Sequence, residues 1–260
     1  MMTKLEEGAV RDGQHGGELA RREDLASLYK LLRVVDVCDA LDGIGYFDIG
    51  LVSTEVRPLW LGMKFWGPAA TMRLVPSNRP MWKLGSTEEI VRAHGAWFDE
   101  VGRRALPVEA VAGHVVVTDS GGSKECGYWG SENSMGQMEN GAIGIVTDGY
   151  CRDTAEVARQ KTPVCARVRG RTIIPGRVMV AEVQGTVACG GAQVRPGDIV
   201  GCDDDGAVVV PQEVAEEVAE HARAILLADM HARRRHYEKL GLPIDSTVDF
   251  EAAERYYANV

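Results

Sequence analysis

An arginine and an aspartate stand side by side at Arg152 and Asp153, in the stretch TDGYCRDTAEVARQ. An apolar, β-branched run precedes the pair and a helix-like segment follows it, which predicts that both residues lie where a strand leads into a helix. An arginine there can hold a carboxylate through two parallel hydrogen bonds. An aspartate can bind a hard divalent cation such as Mg²⁺, with water and substrate oxygens completing the shell. Together the two side chains suit a 2-oxo acid, whose keto and carboxylate oxygens could share the cation.

The same pair has a purely structural interpretation. Asp153 precedes Glu156 by three residues, which is the pattern of a helix N-cap followed by a helix-stabilising acid and is worth about 1 kcal/mol. Arg152 would then be a solvated surface side chain. The local sequence leaves both interpretations open, a helix cap or a site for an anion and a metal.

A second loop is predicted beside this pair. The run HVVVTDS ends near Asp119 and leads into Gly121 and Gly122. Ligands of open α/β sheets bind beyond the carboxyl ends of the strands, and glycines let backbone N–H groups come close to them. We therefore expect the loop after Asp119 to lie near Arg152 and Asp153.

Alternating strand and helix patterns position both loops. Three β-rich runs are separated by two helix-like segments, over residues 114–120, 131–141, 142–149, 152–161 and 162–170. This order predicts right-handed βαβ crossovers and a parallel sheet. Short strands with Gly and Pro turns follow, and DDDG at 203–206 is predicted to turn a hairpin.

The ends of the chain are predicted to be helical. Apolar residues recur at helical spacing over 21–42, and residues 213–260 form a C-terminal helical extension. Ser86 and Glu89 have the spacing of a capping box at the start of a helix. Residues 1–20 are rich in glycine and charge and are expected to be loosely ordered. The remainder, 21–260, is expected to be a single domain.

Composition excludes several classes of function. The 260 residues are 45% apolar and 26% charged with a net charge of −9, which permits a large core and disfavours nucleic-acid and anionic-membrane partners. No apolar run reaches the roughly 20 residues that span a bilayer, and the polar start is no signal peptide. The six scattered cysteines indicate reduced thiols. We expect a cytoplasmic protein.

Two further groups of residues invite a chemical role and are better explained structurally. Cys126 and Cys151 flank the Arg-Asp pair, but the sequence places no histidine beside either, so a nucleophilic thiol is not favoured. The three aspartates at 203–205 lack the alternating ligand spacing of a calcium loop. They are interpreted as a solvated turn.

The residues from Gly113 to Pro211 resemble the RraA-like family, which includes the 4-hydroxy-4-methyl-2-oxoglutarate aldolases and the regulators of ribonuclease activity A. The matching segments occur in family order and are GHVVVTDSGG, YWGSEN, GAIGIVTDGYCRD, TPVCARV and VRPGDIVGCDDDGAVVVP. The resemblance implies an α/β fold, namely an α-β-β-α sandwich with a swivelling β/β/α topology. Its parallel βαβ core carries β-hairpins and helical N- and C-terminal segments. It also implies assembly as a homotrimer or homohexamer.

The resemblance assigns roles to the Arg-Asp pair. Arg152 matches the arginine that binds the pyruvyl carboxylate and is thereby both a substrate-binding and a catalytic residue. Asp153 matches the aspartate that ligates a divalent metal, Mg²⁺ or Mn²⁺. An acid from the C-terminal helix of a neighbouring subunit is also implied, and Asp229 falls at about its place.

The segment from Gly130 to Asn133 matches the backbone that meets the pyruvyl group, which makes Gly130, Ser131, Glu132 and Asn133 substrate-binding candidates. The sequence departs from the family here. Family members usually have an acid directly after the glycine, whereas this chain has Ser131 there and Glu132 next. Either Glu132 takes the catalytic acid's place after a shift of one residue, or Ser131 acts with water.

These assignments predict a metal-dependent carbon–carbon lyase. It would be a pyruvate aldolase, an oxaloacetate decarboxylase or both, acting on a 4-substituted 2-oxo acid through a metal-stabilised pyruvate enolate. One alternative is a non-catalytic protein-binding regulator that resembles the inhibitor of ribonuclease E. The other is a different enolate-type reaction on a sugar-derived keto acid.

Overall fold

The computed structural model describes residues 25–81, 85–97 and 106–260. The predicted loosely ordered segment, residues 1–20, lies outside them. The helices are α1 Val34–Gly43, α2 Thr87–Trp97, α3 Val108–Val111, α4 Ser131–Glu139, α5 Thr154–Gln160, α6 Ala215–Leu240 and α7 Phe250–Tyr257. The strands are β1 Arg57–Pro58, β2 Phe65–Pro76, β3 Val115–Asp119, β4 Gly127–Trp129, β5 Gly144–Cys151, β6 Val164–Arg169, β7 Val178–Val183, β8 Val187–Cys189, β9 Ala192–Val194, β10 Ile199–Asp203 and β11 Gly206–Val210.

Nine of these strands form one mixed sheet in the order β1-β6-β5-β3-β2-β10-β11, with β4 added to β5 and β7 to β2. Neighbours are parallel from β6 to β2 and antiparallel beyond them. The two ends of the sheet approach each other, because Arg57 of β1 donates to the carbonyl of Asp205 beside β11 at 2.6 Å. The sheet is therefore nearly closed, and β8 and β9 form a separate hairpin.

The interior of the nearly closed sheet is filled mainly by small and β-branched side chains, as in other small barrels. Its buried members include Val56, Val117, Val146, Cys165, Val187, Val200, Cys202 and Val209. Outside it, β2 and β10 leave space for one large ring: Trp66 lies opposite Gly201. A Cβ at Gly201 would come within 2.1 Å of the Trp66 ring, so only glycine fits there.

The terminal helices cover one outer face of the sheet. The buried positions of α6 recur at helical spacing and are Ala215, Val218, Ala219, Ala222, Leu226 and Met230. They pack with α1, α7 and the fully buried Tyr29, whose hydroxyl donates to the carbonyl of Ala215 at 2.6 Å. Burying each large apolar side chain contributes about 1.5–3 kcal/mol, which holds these helices on the sheet.

The predicted helix over 21–42 is wrong in one respect, because it is interrupted. Residues 25–29 are helical, and α1 begins again at Val34. Contacts from outside the segment cause the break. Lys64 and Trp66 donate to the carbonyls of residues 31 and 32 at 2.7 and 3.0 Å, and Asp203 accepts from the backbone N–H of Val34 at 2.8 Å. These bonds occupy the backbone carbonyl and N–H groups that a continuous helix would need for its own hydrogen bonds.

The other predicted elements are confirmed. The three β-rich runs are β3, β5 and β6, and the helix-like segments between them are α4 and α5. Ser86 and Glu89 form the capping box, with bonds of 3.2 and 3.1 Å. The DDDG stretch turns the β10–β11 hairpin. Asp204 and Asp205 are exposed in the turn, as predicted. Asp203, at the end of β10, is half-buried and accepts from the backbone N–H of Val34 at 2.8 Å.

The expected fold was an α-β-β-α sandwich. The structure has a mixed α/β fold, with a nearly closed mixed sheet and helices at both ends of the described chain. None of the described helices has both the length and the apolar character needed to cross a bilayer.

Candidate functional site

The pairing of β4 with β5 brings Arg152 beside the start of α4. The two strands are parallel, and the backbone N–H of Arg152 donates to the carbonyl of Trp129 at 2.8 Å. Helix α4 therefore begins next to α5. This arrangement gathers Gly127, Gly130, Ser131, Arg152 and Asp153, which we call the Arg–Asp site.

The Asp153 carboxylate does not cap its own helix, α5. Asp153 stands at the N-cap position of α5, yet its side chain accepts no bond from that helix. Its Oδ2 instead lies 3.3 Å from the backbone nitrogen of Ser131 and 3.5 Å from Nε of Arg152. The capping interpretation is thus wrong for this side chain. Its carboxylate faces the neighbouring helix.

The backbone of Asp153 is left-handed, with φ of 53° and ψ of 33°. L-residues other than glycine pay about 1 kcal/mol or more for this conformation, and aspartate tolerates it better than most. The conformation turns the side chain away from the first turn of α5 and towards α4. Such backbone strain is common at functional sites, where the surrounding structure maintains it.

Two glycines make room for the pair. A Cβ at Gly127 would lie 2.8 Å from the Cβ of Arg152, and a Cβ at Gly130 would lie 2.6 Å from Oδ2 of Asp153. Neither distance is possible for a real side chain. The side chains of Arg152 and Asp153 are 33% and 34% exposed, so both remain accessible to a small ligand from one side.

The N-terminus of α4 adds positive charge to the site. Its N-cap, Gly130, is extended and provides no side-chain cap. The N–H of Ser131 donates to Oδ2 of Asp153 at 3.3 Å, and the other N–H groups of the first turn, together with the helix dipole, favour an anion. This fits the expectation that the segment from Gly130 to Asn133 meets a carboxylate or keto oxygen.

The other two candidates in this segment differ from each other. Glu132 is exposed and, within the described residues, makes no side-chain hydrogen bond, so its carboxylate is free to act on a ligand. The side chain of Asn133 donates to the carbonyl of Tyr128 at 3.0 Å. Asn133 therefore fixes the β4–α4 turn with one of its two amide protons.

Asp229 lies apart from the Arg–Asp site in the described chain. It is on α6, where its Oδ2 is 2.9 Å from Nη2 of Arg33 and 3.1 Å from Nη1 of Arg233. The hydrogen bond from Arg33 is the main reason that its pKa is lowered. The carboxylate is thus held in its ionised form. Its role in the site of a neighbouring subunit, which the family resemblance implies, stays a prediction.

Asp119 of the second predicted loop and Asp148 of β5 both support the backbone. Asp148 accepts from the N–H groups of Ser120 and Gly190 at 2.8 and 3.2 Å. Asp119 accepts from the N–H of Gly121 at 2.7 Å. Both acids are occupied by these bonds, so they fix the loops behind the Arg–Asp site.

The two cysteines near the site are buried. Burial raises the pKa of the Cys126 thiol to about 11 and that of the Cys151 thiol to about 12. Because the thiolate is the nucleophile, both thiols are unreactive at neutral pH. This agrees with their structural interpretation.

The donor set of the Arg–Asp site fits a hard cation such as Mg²⁺ or Mn²⁺ better than a metal that prefers His or Cys ligands. No group of three or more His, Cys, Asp or Glu converges to hold a metal within the part of the chain that the structure describes. Asp153 would thus be the single carboxylate of this chain on the ion, with the backbone N–H of Ser131 beside it. Mg²⁺ is commonly held by one or two carboxylates together with water and substrate oxygens.

Sequence reasoning missed Gly127 and Trp129. The glycine accommodates the Arg152 side chain, and the indole of Trp129 donates to the hydroxyl of Thr118 at 3.1 Å, which ties β4 to β3. The signal was present in CGYWG, where a second glycine precedes Gly130 by three residues. Glycine at that spacing indicates a close approach of another chain segment.

Residues 34–209 match the RraA-like family, described as aldolase/RraA. The chain belongs to this family. Protein DlpA of Legionella pneumophila is 30% identical over 196 residues, which are 75% of this chain and 28% of DlpA. A Cupriavidus taiwanensis protein that carries the provisional name 4-hydroxy-4-methyl-2-oxoglutarate aldolase is 30% identical over 184 residues, which are 69% of this chain and 95% of that protein.

A solved structure agrees with the family assignment. Streptomyces coelicolor RraAS2, described as an unusual member of the RNase ES inhibitor RraA protein family, superposes with a TM-score of 0.64 at 25% identity. The match covers 84% of this chain and 98% of RraAS2. The family thus includes proteins named for catalysis and proteins named for inhibition.

Proposed function

We propose that this RraA-like protein is a divalent-metal-dependent carbon–carbon lyase that releases pyruvate from a 4-substituted 2-oxo acid. The orientation of Asp153 is the observation that carries the proposal. Its carboxylate leaves its own helix uncapped and is held in a left-handed backbone beside Arg152. A protein that only needed the helix would gain by capping it.

The pyruvyl half of the substrate would bind between Arg152 and the start of α4. The guanidinium can hold the substrate carboxylate through paired hydrogen bonds. The N–H groups of the first turn of α4 face the same space and favour negative charge on the keto oxygen. Because the residues that supply these donors are fixed by β4–β5 pairing, they require little reorganisation during the reaction.

Asp153 would hold Mg²⁺ or Mn²⁺. The bound ion would supply Lewis acidity towards the pyruvyl oxygens and thereby favour the pyruvate enolate. Glu132 is the proposed acid for proton transfer, because it is exposed beside the N-terminus of α4. In a homotrimer or homohexamer, Asp229 of a neighbouring subunit would complete the site. We place this assembly in the cytoplasm.

The test is pyruvate release from 4-hydroxy-4-methyl-2-oxoglutarate and from oxaloacetate. Wild type, Asp153→Ala and Asp153→Asn are compared with Mg²⁺ and with EDTA. We expect metal-dependent release in wild type and a loss of at least about 100-fold in both variants, which corresponds to about 2.7 kcal/mol of transition-state stabilisation. Asp153→Asn suits the left-handed backbone, so its loss of activity would not come from misfolding.

Two other outcomes favour other functions. Binding of Mg²⁺ and pyruvate without turnover of either substrate would favour an enolate-type reaction on another keto acid, such as a sugar-derived one. Failure to bind both would contradict the lyase. It would then favour the protein-binding regulator, the role for which the RraA proteins similar to this chain are named.

A further inference from the structure

A second cavity lies at the opposite edge of the sheet from the Arg–Asp site. Its volume is about 440 Å³, and we call it the lysine cavity. It is lined by Ala26, Ser27, Lys30, Trp60, Met63, Lys64, Phe65, Trp66, Ile143, Lys161 and Pro163. Ile143 precedes β5, whereas Arg152 follows it. The eight residues of β5 separate the two edges by about 25 Å at 3.3 Å per residue.

The charges around this cavity are all positive. Three lysines are among its lining residues and no acid is, although the whole chain carries a net charge of −9. The ammonium of Lys30 lies 5.7 Å from the centre of the Tyr256 ring. Within the described part of the chain, none of the three ammonium groups is in an ion pair. A lining with three lysines and no acid favours an anion.

Lys64 reaches the cavity with one fixed contact. Its Nζ donates to the carbonyl of Leu31 at 2.7 Å, which leaves two ammonium protons for another acceptor. The nearest carboxylates are engaged elsewhere: Asp203 accepts from the backbone of Val34, and Asp36 accepts from Arg33. Desolvation by the surrounding protein lowers the pKa of Lys64, as expected for a cation that lacks a direct counter-ion.

The backbone of Lys161 has an unfavourable conformation. It follows the last residue of α5 in a left-handed conformation, with φ of 56°, where glycine is the usual residue. The conformation holds its ammonium 4.3 Å from the centre of the Trp60 ring. Trp60 in turn donates its indole N–H to the carbonyl of Thr162 at 2.9 Å. One cation and one aromatic wall of the cavity are therefore fixed in advance.

The walls of the cavity are apolar. Met63, Phe65 and Trp66 are buried, and Ile143 packs on the interior core. A ligand that matches both features has a flat apolar body and an anionic group. We propose that the lysine cavity binds a small organic anion, a carboxylate or a phosphate ester with an aromatic or similarly flat body, independently of the Arg–Asp site.

Two tryptophans allow the two sites to be observed separately. Trp60 lines the lysine cavity and Trp129 supports the Arg–Asp site, and each indole N–H has its own acceptor. The full chain is labelled with ¹⁵N-tryptophan and its indole N–H signals are recorded by NMR. The signals of Trp60 and Trp129 are assigned with the variants Trp60→Phe and Trp129→Phe. Benzoate, phenyl phosphate and inorganic phosphate are then titrated separately. We expect benzoate or phenyl phosphate to shift the Trp60 signal in the millimolar range while Trp129 stays unchanged.

Variants locate the binding. Lys64→Met with Lys161→Met keeps the aliphatic stems and should weaken binding at least about tenfold, whereas arginine at both positions should retain it. The matched control is Lys239→Met, which removes an exposed charge from the end of α6. Arg152→Met should leave the affinity unchanged, which separates this site from the lyase.

The outcomes for the probes are distinct. If inorganic phosphate binds as tightly as phenyl phosphate, the anionic group alone is recognised and the requirement for an organic body is wrong. If no probe shifts Trp60, or if Lys239→Met weakens binding as much as the double variant, the site does not exist as proposed.

Discussion

Gly130 faces the Asp153 carboxylate so closely that a methyl group on its Cα would lie 2.6 Å from Oδ2. The backbone of Gly130 is extended, with φ of −145°, so another residue could adopt its conformation. The need for glycine is therefore purely steric. Because the same methyl group would also lie 3.2 Å from Nε of Arg152, this one position controls the placement of both charged side chains.

Gly130→Ala should damage the site with little effect on the fold. We expect kcat/KM for pyruvate release to fall at least about tenfold, or about 1.4 kcal/mol, because Asp153 must move. The control is Gly136→Ala on the solvent side of α4, where a Cβ meets nothing within 4 Å. That change should stabilise the protein by up to about 1 kcal/mol and leave kcat/KM unaltered. Equal activity in the two variants would contradict the steric argument.

Gly127→Ala should separate substrate binding from metal binding. The three atoms nearest to its Cβ would all belong to the aliphatic stem of Arg152, at 2.8–3.1 Å. We expect a weaker affinity for pyruvate with an unchanged affinity for Mn²⁺, each measured by titration calorimetry. If both affinities fell together, Arg152 and Asp153 would be displaced as one unit, and the separate roles assigned to them would be wrong.

Ser131→Asp should tighten metal binding. The new carboxylate would stand next to Asp153, whose Oδ2 is 3.3 Å from the Ser131 nitrogen. Two neighbouring carboxylates repel each other, and a divalent cation relieves the repulsion. We expect the Kd for Mg²⁺ to fall about tenfold. Ser131→Asn, which has the same shape without the charge, is the control and should leave the Kd near that of wild type.

Cys151 should be dispensable for catalysis. Burial raises the pKa of its thiol to about 12, so the reactive thiolate forms only as the pH rises towards that value. At pH 8 roughly one thiol in 10,000 is ionised. Iodoacetamide should therefore label Cys151 in urea and not in the native protein, as read by mass spectrometry. Cys151→Ala should retain activity within about twofold, and a larger loss would revive the nucleophile hypothesis.

Strong patterns made much of the fold predictable. The β-branched runs of β3, β5 and β6 and the helical segments between them have the expected periodicity, and their order requires a parallel core. The break before α1 was not predictable in this way. It depends on Lys64 and Trp66, which lie more than 30 residues away in the sequence and compete for the backbone carbonyls of Leu31 and Leu32.

The candidate site was predictable in its residues and not in its geometry. Arg152 and Asp153 could be selected from residue type and family resemblance. The positive φ of Asp153 accompanies a side chain that leaves α5 uncapped, and the sequence Asp-Thr-Ala-Glu does not reveal this backbone conformation. The lysine cavity had no signal at all, because Lys30, Lys64 and Lys161 are far apart in the chain and meet only when the sheet forms.

The left-handed backbone of Asp153 also has an evolutionary consequence. Glycine would relieve the conformation and asparagine would tolerate it, so random drift at this position would lead away from aspartate while the fold improved or stayed the same. A lineage that lost the lyase reaction would be free to make that exchange. Members of the RraA-like family that act only by binding other proteins should therefore be recognisable by a neutral residue at the position of Asp153, in an otherwise intact β5–α5 junction.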